Sequence, residues 1–340
     1  QRISLGEDAS TRRYERFITE TGPLIFMDAP PAAEGRPCGP DATKKDRILA
    51  GWNGRTRLAA CRVDAFVAIA DYLRGLGLSA PQVIAFDVER GFAVLEDLGE
   101  GIFAREIEAG KDEAELYDAA TDALIQAHKS PLPAALEAGE WTWPILNYDR
   151  LAITTGSELF PKWYPAYDLE VRFTGGSARD YDEVTDHLAA QLERADQVFM
   201  LRDYHAENLI WRPGETGLAR VGILDFQDAV KGPAAWDLAM FVQDARRDVS
   251  PAVHAHVLQK YVREMGFDPA AFERDFAIAG ALNALRIIGV FARLIHRDGK
   301  PRYAAFLDRE WDHLKACLSH AELSDLRSIV TAAAPNRMEA

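Results

Sequence analysis

The segment from Leu201 to Phe226 constrains the fold of this 340-residue chain more than any other part of it. It reads LRDYHAENLIW, then a turn, then VGILDF. The apolar residues 209–211 and 221–224 predict two short strands joined into a hairpin. That hairpin would place Asn208 and Asp225 side by side at its open end.

Three side chains of this segment suit the transfer of a phosphoryl group. Such a reaction needs little covalent chemistry from a protein, but it needs metal ions on the phosphates and a residue that deprotonates the attacking hydroxyl. Asp203 follows an apolar stretch and lies in a loop, where its carboxylate can accept that proton. Asn208 and Asp225 offer hard oxygen ligands of the kind that Mg²⁺ prefers. We therefore predict a phosphotransferase that uses ATP and Mg²⁺, with Asp203 as the base.

The rest of the chain divides into two parts that differ in their predicted secondary structure. Short strands at 13–17 and 24–27, a helix at 62–76 and two strands at 81–86 and 91–95 predict a small sheet with one helix. Residues 30–54 are rich in Pro, Gly, Ala and charge, so we expect a loop or a partly ordered insertion there. The pattern after residue 98 is mostly helical, with helices predicted at 112–129, 181–196, 253–265, 271–297 and 303–320. The prediction is an α+β chain with a small, mostly-β lobe at 1–97 and a larger, mostly helical lobe at 98–340.

Composition excludes several classes of partner. The formal net charge of −14 argues against binding to nucleic acid or to an anionic membrane surface. We found no apolar run near the ~20 residues of a membrane span. The cysteines Cys38, Cys61 and Cys317 are odd in number and widely spaced, which fits a reducing cytoplasm better than a disulfide framework. We expect a cytoplasmic monomer that acts on a small molecule.

The motifs resemble those of the aminoglycoside phosphotransferase family, within the protein-kinase-like superfamily. The matching segments are Asp203 to Asn208, Asp225 to Gln227, and Gly232 to Ala239 with its G-x-x-x-x-D-L-A pattern. The resemblance implies a bilobal protein-kinase-like fold. It implies that His205 and Asp237 are structural braces of the catalytic loop. It also implies that the hinge at Glu96 and Leu98 offers backbone groups to adenine, although a plain linker explains these residues equally well.

A narrower resemblance is to the anomeric sugar kinases of cell-wall recycling. It is carried by the stretches STRRYERF, MDAPP, LEDLG and IGVFARL together with RDGK. Those enzymes phosphorylate N-acetylmuramate and N-acetylglucosamine at the C1 hydroxyl, so the resemblance implies an amino-sugar substrate and a role in peptidoglycan recycling.

The sequence departs from typical kinases at the strand that usually carries a phosphate-binding lysine. The stretch from Leu24 to Asp28 has none. Arg12 and Arg13 are the first candidates to replace it, or they lie on a solvated strand edge, and at most one of them can face the phosphates. Lys44 and Lys45 are second candidates. Ser10 and Thr11 are predicted either to donate to phosphate or to form a simple turn.

Four further residues are candidates for contact with the acceptor. Asp228 and Asp244 can accept hydrogen bonds from sugar hydroxyls, or they can serve as helix caps. Arg286 and Arg293 share one face of a mostly apolar helix. A buried ion pair with Asp237 or Asp275 is the favoured explanation of this cation, and a substrate carboxylate is the other.

Two other functions remain open from the sequence. An aminoglycoside, choline or homoserine kinase would carry the same catalytic motif. A catalytically silent, kinase-like binding protein is favoured by the missing lysine and disfavoured by the intact Asp203, Asn208 and Asp225.

Overall fold

A computed structural model describes residues 2–5, 11–31, 35 and 37–339 of the chain. The chain divides into two compact units, Gln1–Asn147 with Val198–Lys231, and Tyr148–Gln197 with Gly232–Ala340. The predicted lobe boundary after residue 97 stays a prediction.

The first unit contains a five-stranded antiparallel sheet in the order β1-β2-β3-β5-β4. Its strands are β1 Arg2–Ser4, β2 Arg13–Thr19, β3 Gly22–Asp28, β4 Val83–Asp87 and β5 Phe92–Glu96. The two predicted strand pairs and the helix predicted at 62–76 between them are confirmed, and two short helices that were not predicted precede that helix. Strand β1 was not predicted, because three exposed residues give too short a pattern.

The segment between β3 and β4 holds three helices: α1 Lys44–Leu49, α2 Trp52–Thr56 and α3 Val63–Gly75. Of the two alternatives for residues 30–54, the loop is therefore wrong for the second half, and a partly ordered insertion agrees with the helices there. Thr43 and Asp46 form a reciprocal capping box, which satisfies the free N–H groups at the start of α1. The buried guanidinium of Arg47 then donates to the carbonyl of Gly54 at 3.1 Å and joins the two short helices.

The first unit continues through helices and two hairpins. Its elements are α4 Phe103–Glu108, α5 Glu113–Lys129, β6 Ala135–Ala138, β7 Trp141–Pro144, β9 Leu209–Trp211 and β10 Val221–Ile223, with β8 Gln197–Met200 at its boundary. Helix α3 shares the core with the later segments, since the rings of Phe66 and Phe226 lie 4.8 Å apart and those of Tyr72 and Phe199 lie 4.9 Å apart. These contacts join α3 to β8 and to Phe226 at the end of the 201–226 segment.

The second unit is almost entirely helical. Its elements are α6 Arg150–Ser157, α7 Leu159–Tyr167, α8 Gly175–Leu192, α9 Ala234–Val242, α10 Pro251–Met265, α11 Pro269–His296, α12 Leu307–Leu318, α13 Ser324–Ala333 and α14 Pro335–Glu339, and strand β11 Val230–Pro233 leads into it. The helices predicted at 181–196, 253–265, 271–297 and 303–320 are confirmed, with bounds that shift by a few residues.

Helix α11 forms the centre of this unit. Asp268 caps it by accepting from the N–H of Ala271 at 2.8 Å, and Pro269 occupies its first turn. The helix is long and apolar enough to cross a membrane by length and composition, but 78% of its most apolar window is buried inside the fold. This burial is what a central core helix requires.

Helices α11 and α7 cross closely because residue 289 is a glycine and has no side chain. A Cβ at Gly289 would lie 2.4 Å from the carbonyl carbon of Leu159 and 2.6 Å from its Cβ. Glycine therefore sets how closely these two helices approach.

We predict that Gly289→Ala lowers the free energy of unfolding by about 1–3 kcal/mol, because the backbone of α7 must move to admit the methyl group. Urea unfolding at equilibrium measures the change. Gly175→Ala is the matched control, since nothing lies within 4 Å of a Cβ at that helical position. Equal stabilities of the wild type and Gly289→Ala would contradict the packing argument.

Candidate active site

The hairpin of β9 and β10 brings the ends of the 201–226 motif together. Its register pairs Leu209 with Ile223, and all of its strand residues are buried. The N–H of Leu224 then donates to the carbonyl of Asn208 at 2.9 Å. Asn208 thus lies opposite the residue that precedes Asp225, which confirms the predicted placement of the two at the open end of the hairpin.

The loop before the hairpin is held by its own buried residues. The hydroxyl of the buried Tyr204 donates to the carbonyl of Ala120 at 2.7 Å. Arg202 has φ of 78°, a left-handed conformation that is uncommon for a residue with a side chain. A short 3₁₀ turn at residues 206–208 then leads into β9. The surrounding fold must hold this conformation, and it sets the direction of the Asp203 backbone.

The amide of Asn208 is oriented by the loop. Its Nδ2 donates to the carbonyl of Asp203 at 2.9 Å and lies 3.3 Å from Nε2 of His205. With the nitrogen turned toward the loop, the amide oxygen is left for a ligand outside it. The same contact gives His205 a position suited to the bracing role implied by the resemblance, and that role stays a prediction.

Asp225 also has a left-handed backbone, with φ of 55°. Its Oδ1 accepts from Nη2 of Arg12 at 3.0 Å and from Nε2 of Gln227 at 2.9 Å. The Asp225 side chain is 41% exposed whereas that of Arg12 is 10% exposed. The carboxylate is therefore open on one side and held by a largely buried cation on the other.

Asp228 is buried and has two donors inside the protein. The N–H of Ala59 donates to Oδ1 at 2.6 Å, and Nε2 of Gln227 donates to Oδ2 at 3.2 Å. Burial raises the pKa of Asp228, while the charges of Arg12 and Arg202 oppose that rise. These bonds make Asp228 a link between the motif and the start of α3, and its predicted contact with a substrate stays a prediction.

The other candidates near the first strands differ in their surroundings. Arg13 begins β2 and is exposed opposite Asp28, so of the two arginines only Arg12 reaches Asp225. Thr11 Oγ1 lies 3.2 Å from Sγ of Cys61. Ser10 lies outside the described residues. Lys44 and Lys45 are exposed on α1.

The side chain of Glu96 is used within the protein. Its Oε2 accepts from the N–H of Gln82 at 3.1 Å and from Arg74 at 3.2 Å, and Oε1 accepts from Arg212 at 3.3 Å. The Glu96 carboxylate is thus bonded within the protein and Leu98 is buried, and the role of their backbone in nucleotide binding stays a prediction.

A pair of residues beside this hinge was missed from the sequence. Arg16 donates through Nε and Nη2 to the carboxylate of Asp97 at 2.5 and 3.1 Å, and both side chains are nearly buried. Because Arg16 and Asp97 are 81 positions apart, no local sequence pattern predicts that they pair.

The candidate residues in the second unit are wholly or partly buried, and the hydrogen-bond partner of Arg286 was not predicted. Asp237 is fully buried in α9, and Asp244 follows that helix with 2% exposure. The bracing role of Asp237 stays a prediction. Arg286 donates through Nε and Nη2 to Oδ1 of Asn283 at 3.0 and 2.8 Å. The favoured ion pair of Arg286 with Asp237 or Asp275 is wrong, because within the described chain Asp275 pairs with Arg274 and no carboxylate pairs with Arg286.

Comparison with known proteins identifies the family of the chain, which the geometry of the site alone does not. Residues 2–274 match the family described as "Phosphotransferase enzyme family". The chain belongs to this family. It is 49% identical over 329 residues to the N-acetylmuramate/N-acetylglucosamine kinase of Caulobacter vibrioides, covering 96% of this chain and 90% of the relative. It is 32% identical to the protein of that name from Pseudomonas aeruginosa, covering 99% and 90%.

The fold of this phosphotransferase is shared with solved structures of low identity. The choline kinase LicA of Streptococcus pneumoniae superposes with a TM-score of 0.57 at 15% identity, covering 94% of each chain. The predicted protein-kinase-like fold is therefore confirmed.

The donor set of this phosphotransferase fits a magnesium ion that is shared with phosphate oxygens. Mg²⁺ is usually bound by one or two carboxylates plus substrate phosphates rather than by a cage of protein ligands. Asn208 and Asp225 supply two oxygens, and Arg12 already places a positive charge on Asp225. Among the described residues there is no cluster of three or more His, Cys, Asp or Glu that could hold a metal ion.

We predict that Asp228→Ala lowers the free energy of unfolding by about 1–3 kcal/mol, because it leaves the N–H of Ala59 buried without an acceptor. Asp228→Asn is the matched control, since it keeps Oδ1 and removes a charge that burial already disfavours. Urea denaturation of both variants makes the comparison. An equal loss in the two variants would show that the bond to Ala59 is not the cause.

Proposed function

We propose that the chain is an ATP-dependent kinase that phosphorylates the C1 hydroxyl of N-acetylmuramate and N-acetylglucosamine in peptidoglycan recycling. The observation that carries the proposal is its 49% identity, over almost the whole chain, to a relative named for these two sugars. The geometry of the loop and hairpin supports it, because Asp203 and Asn208 are joined by a direct hydrogen bond and Asp225 follows the residue opposite Asn208.

In the proposed reaction, Asp203 accepts the proton of the C1 hydroxyl while that oxygen attacks the γ-phosphorus of ATP. The bond between the γ-phosphorus and the bridging oxygen breaks, and ADP leaves. Asn208 and Asp225 would hold Mg²⁺, which neutralises phosphate charge when bound. Asn208 keeps the Asp203 backbone in place, so the base and a metal ligand are set by one hydrogen bond.

Arg12 is the proposed substitute for the missing strand lysine. It is a largely buried arginine beside Asp225, and β3 carries the buried Met27 within the stretch where a lysine is usual. A guanidinium binds phosphate oxygens through paired donors. Thr11 is the proposed neighbouring donor to phosphate.

The proposed setting follows from composition. Within the described residues Cys38, Cys61 and Cys317 form no disulfide, which agrees with a reducing compartment, and we propose a cytoplasmic monomer with a small sugar as its partner.

Phosphorus NMR of the protein with ATP, Mg²⁺ and each sugar tests the function. We expect a sugar 1-phosphate and loss of the reducing end. Asp203→Asn should reduce kcat by about 10²–10⁴-fold, because the general base is lost. Asp71→Asn, an exposed position on α3, is the matched control and should keep wild-type turnover.

Other outcomes would favour the alternatives. Turnover of choline, homoserine or an aminoglycoside, with neither amino sugar phosphorylated, would replace the proposed acceptor. Nucleotide binding without turnover of any acceptor would indicate a silent binding protein.

We predict that Arg12→Gln weakens binding of the Mg²⁺ complex of ATP by about 10–100-fold, since a charged hydrogen-bond donor to phosphate is lost. Arg13→Gln is the matched control on the adjacent residue. Titration calorimetry with a non-hydrolysable ATP analogue measures both. A larger loss of affinity in Arg13→Gln than in Arg12→Gln would show that Arg13, and not Arg12, contacts the phosphates.

A further inference from the structure

Gln227 lies two residues after the candidate metal ligand Asp225 and is only 1% exposed. Its Nε2 donates to Oδ1 of Asp225 at 2.9 Å and to Oδ2 of Asp228 at 3.2 Å. One amide nitrogen therefore joins two carboxylates. These three residues belong to the first unit, as do Asn208 and Arg12, so the whole arrangement lies within one compact unit.

The orientation of the Gln227 amide follows from its surroundings. The amide nitrogen carries two donors and the amide oxygen only accepts, so a reversed amide would turn its oxygen toward two carboxylate oxygens. In the observed orientation Oε1 of Gln227 is buried, and no described residue donates to it. A buried carbonyl without a donor is destabilising, and such a group in a folded protein often accompanies a functional role. The contacts that this side chain makes instead are the two bonds of its nitrogen.

Gln227 is anchored by a chain of buried contacts. The N–H of Ala59 donates to Oδ1 of Asp228 at 2.6 Å, which fixes this carboxylate against the segment that precedes α3. Oδ2 of the same carboxylate then fixes the amide of Gln227. Ala59, Gln227 and Asp228 are all buried, so the nitrogen reaches Asp225 from a support that is closed to water. Hydrogen bonds of this kind behind a ligand are what hold its side chain in a defined orientation.

Asp225 differs from its anchor because its side chain is 41% exposed. Both of its donors, Arg12 and Gln227, bind the same oxygen, Oδ1. In the described part of the chain, no residue donates to Oδ2. Because Arg12 is the residue proposed to bind phosphate, Gln227 is the donor that stays on Oδ1 when nucleotide is bound. Asp225 then offers a cation one oxygen rather than two.

The number of oxygens that one carboxylate offers bears on the choice of cation. Mg²⁺ is small, demands nearly octahedral geometry and is bound by one or two carboxylates together with substrate phosphates. Ca²⁺ is larger, takes about six to eight oxygens and accepts both oxygens of one carboxylate. A carboxylate with one oxygen held by a fixed amide therefore suits Mg²⁺ better than Ca²⁺.

We propose that Gln227 is a positioning residue that sets the metal preference of the site, because it holds Oδ1 of Asp225 and leaves Oδ2 for the cation. The inference rests on the proposed function, which supplies the nucleotide and the metal. It assigns a role to the residue that ends the motif segment Asp225–Gln227, and that role depends on a donor rather than on charge.

Titration calorimetry with a non-hydrolysable ATP analogue tests the proposal, once in saturating Mg²⁺ and once in saturating Ca²⁺. The ratio of the two dissociation constants gives the metal preference of each protein. Gln227→Met removes the donor and keeps the length of the side chain, so the preference for the Mg²⁺ complex should fall by at least about tenfold. Gln227→Glu turns an acceptor toward Asp225 and should shift the preference in the same direction. Gln243→Met is the matched control, since it removes a buried amide that donates to Sγ of Cys317 in the second unit, and it should keep the wild-type preference.

The possible failures give different results. An equal loss of affinity for the two metal complexes in Gln227→Met would show that the residue is only structural and would overturn the inference. If this variant has no cooperative thermal transition, an unchanged preference in Gln227→Glu would overturn it as well. A wild type that binds both complexes equally tightly would also overturn the inference, and would leave the proposed function standing. A wild type that binds neither complex would overturn the proposed function and this inference with it.

Discussion

The hydrogen bond from the N–H of Leu224 to the carbonyl of Asn208 is the contact on which the candidate active site depends. It exists because two short, fully buried strands pair in one register, and a shift by one residue would turn their side chains to the opposite faces. The bond places Asn208 beside the residue before Asp225. The Asn208 amide then fixes the backbone of Asp203. The candidate base and the two candidate metal ligands are thereby positioned through hydrogen bonds to the backbone.

Much of this arrangement could be predicted because the pattern lies within 26 consecutive residues. Two apolar runs, a turn and polar residues at fixed offsets determine a hairpin and its open end. Helices α5, α10 and α11 could be predicted for a related reason, since their apolar spacing and their caps lie in adjacent residues. Local patterns of this kind act through backbone hydrogen bonds, and tertiary packing then reinforces them.

The contacts that could not be predicted join residues that are far apart in the chain. Ala59 and Asp228 are 169 positions apart, and Arg12 and Asp225 are 213 apart. A composition rich in Pro, Gly and charge suggested a loop at 30–54, yet one Thr–Asp capping box is enough to begin a helix there. The partner of Arg286 was misjudged because an amide three residues earlier on the same helix took the place expected for a carboxylate.

The proposed phosphate contact of Arg12 would link this residue to the metal on a chain of net charge −14. Arg12 contacts the carboxylate of Asp225, so in the proposed site a cation bound at Asp225 would leave the guanidinium for phosphate. Magnesium would do this, and binding of metal and of nucleotide would then be coupled by one shared carboxylate.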